Sequence, residues 1–535
     1  MSIKPSSLLK LSVASAVLLS VGACKATDKG QGALKSESVA ALNLSKSEAG
    51  VFSKYFETAS CDVDELESLG ALAGLGMGEN GANGVSFDSR EVKGGVVTYS
   101  GLKQTFEGTN EAEFTAGTLV FHCPKMVDDA PNFTRLDVKD LRIRNEADGH
   151  ELTAETLNFA NPTDGTARAI VESFGQLSES NFDNFEFGAF SVTGMEIKST
   201  EMNGTINAIS WGETRDENGK GTADLSIDDV NFLIPDQQGA GEISINFDGM
   251  SARNLNIGVK NDADPNLSPE QVVSSLFDNI KPFDKPYDEL IVESLKINSE
   301  FASLDFAGLE GITSEKGDVI TTTTNLKPAV INLKPRLGEI PSFLQGYAIL
   351  QSLDMETISI SGSSVSKLDA GDDSASVSNG LFVIDDVMRL NFEYEAEGIN
   401  AILSQLKQLE TDSSAVDSLE FYNALKLRNF RMTIEDNSIV DKGLTLATQM
   451  TGQSEAQLKL MVTGAVFLAA SQAKNEFEAD VYSKTMEALA NFIKKGGTLT
   501  IEANPPEPFS FAPLISGEAD NLDPATLGFS ASQAN

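Results

Sequence analysis

The sequence contains few of the residues on which catalytic and metal sites usually depend. Two histidines, three cysteines and one tryptophan occur among 535 residues. His122 and His150 are too few to predict a zinc centre or a histidine general base. The sequence also lacks a G-x-S-x-G elbow, an H-E-x-x-H motif, a Walker loop, a Rossmann fingerprint and a C-x-x-C pair. We therefore predict no catalytic residue, no bound metal ion and no cofactor.

Positive charge is scarce as well. The chain has 40 Lys and Arg residues against 79 Asp and Glu residues, so its net charge is −39. Nucleic-acid binding needs clustered Lys and Arg side chains that neutralise phosphates, and anionic lipid surfaces attract basic segments. This composition excludes nucleic acid and anionic lipid surfaces as main partners, and it favours solubility.

Several weak motifs lack the residues that would complete them. Asp216-Glu217-Asn218-Gly219 and Asp372-Asp373 offer oxygen ligands for calcium but lack the closing Glu of a calcium loop. Ser364 to Lys367 and Ser471 to Lys474 match S-x-x-K without its K-T-G or S-D-N partners. The aromatic residues are mostly Phe, 30 against 7 Tyr, which favours an apolar core or groove over a carbohydrate-binding surface.

Apolar runs long enough to cross a bilayer, about 20 residues, are also missing. Leu458 to Ala470 is short and contains Lys459, so we predict that it is a buried helix. The N-terminus has the layout of a signal peptide, with two Lys residues, an apolar stretch from Leu11 to Val21 and small residues before Cys24.

The tetrapeptide Val21-Gly22-Ala23-Cys24 resembles the lipobox of bacterial lipoproteins. The resemblance implies cleavage between Ala23 and Cys24, a diacylglycerol thioether on the Cys24 sulfur and acylation of the new amine. The membrane would then be a partner through this N-terminal lipid, because several acyl chains on one residue anchor a protein stably. By analogy with well-studied lipoproteins, Lys25 in place of Asp favours the outer membrane, with the protein facing the periplasm.

Cys61 and Cys123 are the two cysteines that remain after acylation. An even pair in an oxidising compartment predicts a disulfide, which would stabilise the fold by roughly 4 kcal/mol at most. The alternative is a metal-binding or catalytic thiol at His122-Cys123. Adjacent residues on a strand point to opposite faces, which disfavours that alternative.

Composition and periodicity divide the chain into six segments. The predicted boundaries are 1–23 for the signal peptide, 24–38 for a flexible tether, 39–80 for a helical lead, 81–435 for a β-rich body with inserted helices, 436–503 for helices plus a final strand, and 504–535 for a Pro-containing polar tail. Helical apolar stripes inside the body occur at Ala169–Leu177, Ser268–Ile280 and Ile399–Leu409.

One pattern recurs through the body, with apolar residues at its first, third, sixth and eighth positions. It occurs at Leu136–Ile143, Phe190–Ile197, Leu225–Phe232, Leu290–Ile297, Leu353–Ile360 and Leu425–Met432. Each instance joins two alternating stretches by a two-residue step, which resets the phase as a β-bulge does. The pattern predicts a β-rich α+β fold, in which a long, twisted and bulged antiparallel sheet has covering helices and a C-terminal helical segment. Hairpin turns are predicted at Asp148-Gly149, Asn218-Gly219 and Asp248-Gly249.

The last 90 residues or so combine helices, the Gly496-Gly497 stop, an alternating strand and the prolines from Pro505 to Pro508. This ending resembles that of uncharacterised envelope proteins of alphaproteobacteria. No activity is assigned to that family, so the resemblance implies no site.

Two functions from different classes fit these observations. The first is a non-catalytic structural or lipid-binding role, with a lipid or an envelope protein as partner. The second is a carboxylate-dependent hydrolase that acts on envelope glycans. Two carboxylates about 5 to 10 Å apart in a cleft would favour the hydrolase. An apolar trough would favour lipid binding, and a filled core would favour a scaffold.

Overall fold

The computed structural model describes residues 52–57, 65–73, 85–106, 112–127, 130–145, 149–163, 166–167, 187–217, 219–235, 241–259, 283–340, 343–401, 425–470, 476–510, 512–513 and 523–535. The chain divides into two compact units. In the described residues, unit 1 runs from 52 to 259 and includes 289–299, whereas unit 2 comprises 283–288 and 300–535.

Unit 1 is built from antiparallel strands and contains helix α1, Glu65–Ala73. Its strands are β1 Val85–Ser86, β2 Ser89–Lys93, β3 Val96–Phe106, β4 Ala112–His122, β5 Lys125–Val127, β6 Ala130–Asn132, β7 Arg135–Asn145, β8 His150–Pro162, β9 Phe187–Lys198, β10 Asn203–Arg215, β11 Lys220–Ile234, β12 Ile243–Val259, β13 Glu289–Val292 and β14 Leu295–Asn298. Strands β3, β4 and β7 to β12 pair in that order. Strands β1 and β2 pair with β3, β13 and β14 pair with β12, and β5 and β6 form a separate hairpin.

A line of irregular residues crosses the unit 1 sheet at mid-strand, and we call it the crease. Its residues interrupt the regular pairing of neighbouring strands, and they are Gly101, Gly117, Asp140, Glu155, Gly194, Asn207, Asp229 and Asp248. On every second strand the crease residue has a positive φ, for example 51° at Asp140 and 44° at Asp229. The left-handed conformation lets each strand bend while its apolar residues stay on the core side.

The crease confirms the predicted step in the repeated pattern. Asp140, Gly194 and Asp229 occupy the step in the first three instances. In the fourth instance the step separates β13 from β14, and in the sixth Arg428 is the extra residue opposite Glu395 and Ala396.

Two of the pattern-based predictions are wrong in detail. Leu353, in the fifth instance, caps a helix instead of lying on a strand. Gly149 and Gly219 lie at turns with positive φ, as predicted, but Asp248-Gly249 lies inside β12. There the amide of Asp248 donates to the Ser294 carbonyl at 2.8 Å, so an Asp-Gly pair marks the crease instead of a hairpin turn.

The core of unit 1 lies on one face of its sheet. Apolar side chains from β3 to β12 pack there with Leu72 of α1 and leave almost no exposed surface. Tyr99, Phe121, Ile206 and Ile227 are among the largest of these fully buried side chains. Burying each such side chain stabilises the fold by about 1.5–3 kcal/mol.

Unit 2 combines an antiparallel sheet with helices. Its strands are β15 Ala302–Phe306, β16 Leu309–Lys316, β17 Val319–Leu333, β18 Thr357–Asp369, β19 Ser374–Ile384, β20 Met388–Glu397, β21 Lys426–Asp436, β22 Thr498–Ala503, β23 Phe509–Ser510 and β24 Phe529–Ala534. Its helices are α2 Leu344–Ser352, α3 Ile439–Thr451, α4 Glu455–Ala470 and α5 Glu476–Lys495, with 3-10 turns at Pro335–Glu339 and Pro524–Thr526. The predicted helical stripes at 169–177 and 268–280, and most of the stripe at 399–409, lie outside the described residues.

Strands β17 to β22 pair in chain order, β15 and β16 both pair with β17, and β24 pairs with β22. The predicted tail therefore contains a strand, and β22 is not the final one. Because β24 returns antiparallel to β22, Phe529 and Ala531 reach the same face as Leu499 and Ile501. The alternation in the tail was too short to distinguish from a polar segment.

We predict that Asp140→Val destabilises unit 1 by about 1–3 kcal/mol, because a β-branched residue is strained at positive φ. Lys139→Val, one residue earlier on the same exposed strand segment, is the control, and Val should be neutral or favourable there. Denaturant unfolding followed by fluorescence of the single tryptophan, Trp211, reports on unit 1. Equal stability of the two variants would contradict the assignment of the crease.

Candidate functional site

The unit 2 sheet carries a wide set of aligned apolar side chains, which we call the apolar face. Cross-strand pairs define it, such as Ile331 with Ile358, Ile360 with Ile384 and Phe382 with Leu390. Its members are Leu304, Phe306, Leu309, Leu326, Ile331, Ile358, Ile360, Phe382, Ile384, Met388, Leu390 and Phe392. Direct opposition across antiparallel strands places all of them on one side of the sheet.

All members of the apolar face are only half-buried. The same side of the sheet continues over β21 and β22, where Ala488 and Phe492 of α5 pack against it. Under that helix Leu499 retains 4% of its exposure. In the part of the chain that the structure describes, no comparable buried cluster forms over β15 to β20. The apolar face therefore keeps accessible hydrocarbon surface where the neighbouring strands are covered.

The opposite side of β20 to β22 is charged. The Arg428 guanidinium donates to Glu397 Oε1 at 2.5 Å and to Glu395 Oε1 at 2.9 Å, and Arg431 Nε lies 2.9 Å from Glu502 Oε1. The two carboxylates raise the pKa of Arg428. Alternation in the strand thus separates an apolar surface from an ion-paired one.

A second candidate is a shallow cleft of about 710 Å³ on the outer face of the unit 1 sheet. It is lined by Phe52, Ser53, Phe56, Glu57, Arg135, Asn158, Ser191, Thr193 and Ser210. Glu57 is the single carboxylate among the described residues of this lining. The lining therefore does not supply the two carboxylates that glycoside hydrolysis requires.

Residues 52–57 are held on this outer face by a polar cluster. The Tyr55 hydroxyl and the Lys54 ammonium lie 2.8 and 3.0 Å from Asp224 Oδ2, and the Asn254 amide donates to Asp224 Oδ1 at 2.9 Å. Burial alone would raise the pKa of Asp224, but these three donors outweigh it and hold the pKa below its usual value. Burial is the main reason that the pKa of Tyr55 is raised.

A neighbouring cluster is centred on Asp137. His122 Nε2 lies 2.9 Å from Asp137 Oδ2, and Arg135 Nε donates to Asp137 Oδ1 at 2.6 Å. Burial opposes ionisation of Asp137, yet these partners lower its pKa. Arg135 also donates to the Phe56 carbonyl at 2.8 Å, so this cluster too holds the 52–57 segment on the sheet. We interpret both clusters as structural.

The residues predicted for lipid attachment and cleavage, Cys24 and Ala23, lie outside the described residues, as does Cys61. Cys123 is buried directly after β4. Its pairing with Cys61 stays a prediction. The His122 side chain contacts Asp137, whereas Cys123 is buried and follows the strand with a φ of 53°.

The calcium and S-x-x-K motifs lie partly within the described residues. Asp216 accepts from the Lys220 amide at 3.0 Å in the turn between β10 and β11, and Asp372 lies in the turn between β18 and β19. Ser364 and Lys367 alternate along β18, so they do not lie on the same side. The other S-x-x-K segment, Ser471 to Lys474, lies outside the described residues. In the described ranges no group of three or more His, Cys, Asp or Glu side chains could hold a metal ion.

The prediction that Leu458–Ala470 is a buried helix is wrong in part. It forms α4, and Leu458 is buried, but Leu460 and Met461 are 74% and 55% exposed. Helix α4 packs against α3 and α5, which leaves one side uncovered by them. Apolar composition did not reveal which side that would be. Among the helices that the structure describes, none is both long and apolar enough to span a bilayer.

Part of the apolar face follows from the repeated sequence pattern, and the rest does not. Ile358 and Ile360 belong to the repeated pattern, which predicts that both point to the core side of the strand. Both lie on the apolar face. Phe382, Leu390 and Phe392 were missed, although the alternating residues from 381 to 394 give a signal that could have found them.

A family model described as "Uncharacterized protein" matches residues 381–534. The match begins inside β19 and includes the end of the apolar face, helices α3 to α5 and β24. No curated protein matches the chain. That family has no activity in its description, so the geometry is the basis for a functional proposal.

We predict that Asp224→Asn lowers the free energy of unfolding of unit 1 by about 1–3 kcal/mol at pH 7. The pKa of Asp224 is depressed in the folded state, so its contribution is present above the unfolded pKa of about 3.9 and is lost as the pH falls through the folded pKa. The difference between wild type and variant, measured by Trp211 fluorescence, should therefore shrink below about pH 4. Glu217→Gln, at an exposed turn, is the control. A difference that persists unchanged at low pH would contradict this role.

Proposed function

We propose that this protein is a lipid-anchored envelope protein that binds the hydrocarbon chains of a lipid on the apolar face, without catalysing a reaction. The observation that carries the proposal is the half-burial of all members of that face. Ile360, Phe382 and Leu390 are aligned as core residues would be, yet they keep accessible surface. Contiguous exposed apolar surface in a soluble protein is typical of a binding site.

The energetics favour an acyl chain as the occupant. Each methylene group removed from water contributes about 0.8 kcal/mol. The strands offer Phe and branched aliphatic side chains, which can line an apolar groove without any specific polar contact. A flexible acyl chain fits such a surface better than a rigid polar ligand does.

The anchor and location complete the proposal. Acylation of Cys24 would keep the protein on the outer membrane, facing the periplasm, and thus close to lipid. The helical stripes at 268–280 and 399–409, together with the C-terminal helices, would cover parts of the sheet. A disulfide between Cys61 and Cys123 would stabilise unit 1.

A hydrolase acting on envelope glycans is the alternative. It needs two carboxylates at a suitable distance in a cleft. Among the described residues that line the unit 1 cleft, Glu57 is the single carboxylate, so lipid binding is the function that the geometry supports better.

We predict that the unacylated Cys24→Ser protein, without its signal peptide, co-purifies with lipid. In that protein Ile360→Asp should lower lipid occupancy at least about tenfold, because a buried unpaired charge is costly. Thr323→Asp is the matched control, because Thr323 is exposed on the opposite side of β17. Native mass spectrometry measures occupancy, and circular dichroism checks folding. A lipid-free wild-type domain that also takes up no fluorescent lipid from vesicles would contradict the proposal and favour a scaffold.

We predict that Cys24→Ser, expressed with its signal peptide, moves the protein from the membrane fraction to the soluble envelope fraction. The substitution removes the thiol that would carry the diacylglycerol, and no described helix replaces that attachment. Fractionation after a high-salt wash tests this expectation. A variant that still sediments with membranes would show that the lipid is not the main attachment.

A further inference from the structure

Next to the apolar face, the same side of the unit 2 sheet changes to hydroxyl-bearing residues. We call this region the hydroxyl corner, and it consists of Thr313, Thr322, Thr324, Ser364 and Ser366. Thr322 pairs with Thr313 and Ser366, and Thr324 pairs with Ser364, one row away from Leu326. Hydroxyls and hydrocarbon thus lie side by side on continuous strands.

Part of the hydroxyl corner is internally hydrogen-bonded. Thr313 Oγ1 lies 3.1 Å from Thr322 Oγ1, and the Ser366 hydroxyl lies 3.4 Å from the Thr322 carbonyl. Tyr287 reaches the same place, because its hydroxyl is hydrogen-bonded to Thr313 above Gly311, where a Cβ would lie 2.6 Å from that oxygen. This network fixes the position of the corner.

Thr324 and Ser364 are not part of this hydrogen-bond network. They face each other on β17 and β18 and are half-buried, and within the described residues neither side chain makes a hydrogen bond to another group. Their hydroxyls can therefore donate to and accept from a ligand without breaking an existing contact.

The described strand positions on this side of the sheet carry no positive charge from β15 to β20. The strand positions that share it from β15 to β20 are apolar or hydroxyl-bearing, apart from Glu315 at the exposed end of β16, and none of these described positions is Lys or Arg. A phosphate needs a cation or several amide donors to compensate for its lost hydration. Glu315 adds repulsion instead of compensation.

We propose that the ligand is an uncharged amphiphile with a hydroxyl- or ester-bearing head, of the diacylglycerol class, whose acyl chains lie on the apolar face and whose head is bound by Thr324 and Ser364 at the hydroxyl corner. This inference rests on the proposed function, because it names the ligand class and its direction on the same surface. The hydroxyls match a polar head that has donors and acceptors but no charge.

The test uses the unacylated Cys24→Ser protein and measures displacement of the apolar dye N-phenylnaphthylamine by diacylglycerol and by phosphatidylglycerol with identical acyl chains. Wild type should bind diacylglycerol at least about tenfold more tightly than it binds phosphatidylglycerol. Thr324→Val with Ser364→Ala should weaken diacylglycerol binding about tenfold, since it removes two hydrogen bonds, and should leave dye binding unchanged. Thr323→Val, on the opposite side of β17, should change neither diacylglycerol binding nor dye binding.

A gain-of-function variant makes the direction of binding testable as well. Thr324→Lys should raise the affinity for phosphatidylglycerol, because it places a cation at the proposed head position. If wild type binds the dye but both lipids equally, or if Thr324→Lys leaves phosphatidylglycerol binding unchanged, the inference is overturned and the proposed function stands. If neither dye nor lipid binds to the folded wild type, the proposed function itself fails.

Discussion

The two-residue period of the β-strand is the constraint on which the strands of both units depend. Side chains alternate between faces, so a slip of one residue would move a whole apolar set into water. The crease solves this problem in unit 1, because Asp140 and Asp229 adopt left-handed conformations that bend the strands and restore the phase. Long strands can then curve around a core while Leu136 and Leu141 stay buried on the same side.

The same alternation has different consequences in the two units. In unit 1 the apolar side chains pack against one another and against Leu72 of α1, so that Tyr99 and Phe121 are fully buried. In unit 2 the helix α5 covers β21 and β22, whereas Ile360 and Phe382 remain half-buried. One local rule therefore produces a filled core in one unit and an accessible apolar surface in the other.

The charge distribution fits a surface of this kind. The chain has a net charge of −39, and the ion pairs of Arg428 lie on the side of the sheet opposite the apolar face. In the proposed binding mode, Thr324 and Ser364 would supply hydroxyls to the ligand, where a phosphate-binding site would need Lys or Arg. A lipid anchor at Cys24 would keep such a surface near its ligand without requiring a basic patch.

Local patterns in the sequence were sufficient for the strand phase, the mid-strand steps and the β-rich class, because alternation and the residues that tolerate positive φ are local properties. They predicted that Ile358 and Ile360 point to one side. They did not decide whether that side is covered, whether Asp248-Gly249 is a turn or a bend, or which side of α4 is exposed. Those outcomes depend on residues distant in the chain, such as Phe492 over Leu499 and Ser294 beside Asp248, and only the tertiary structure brings these partners together.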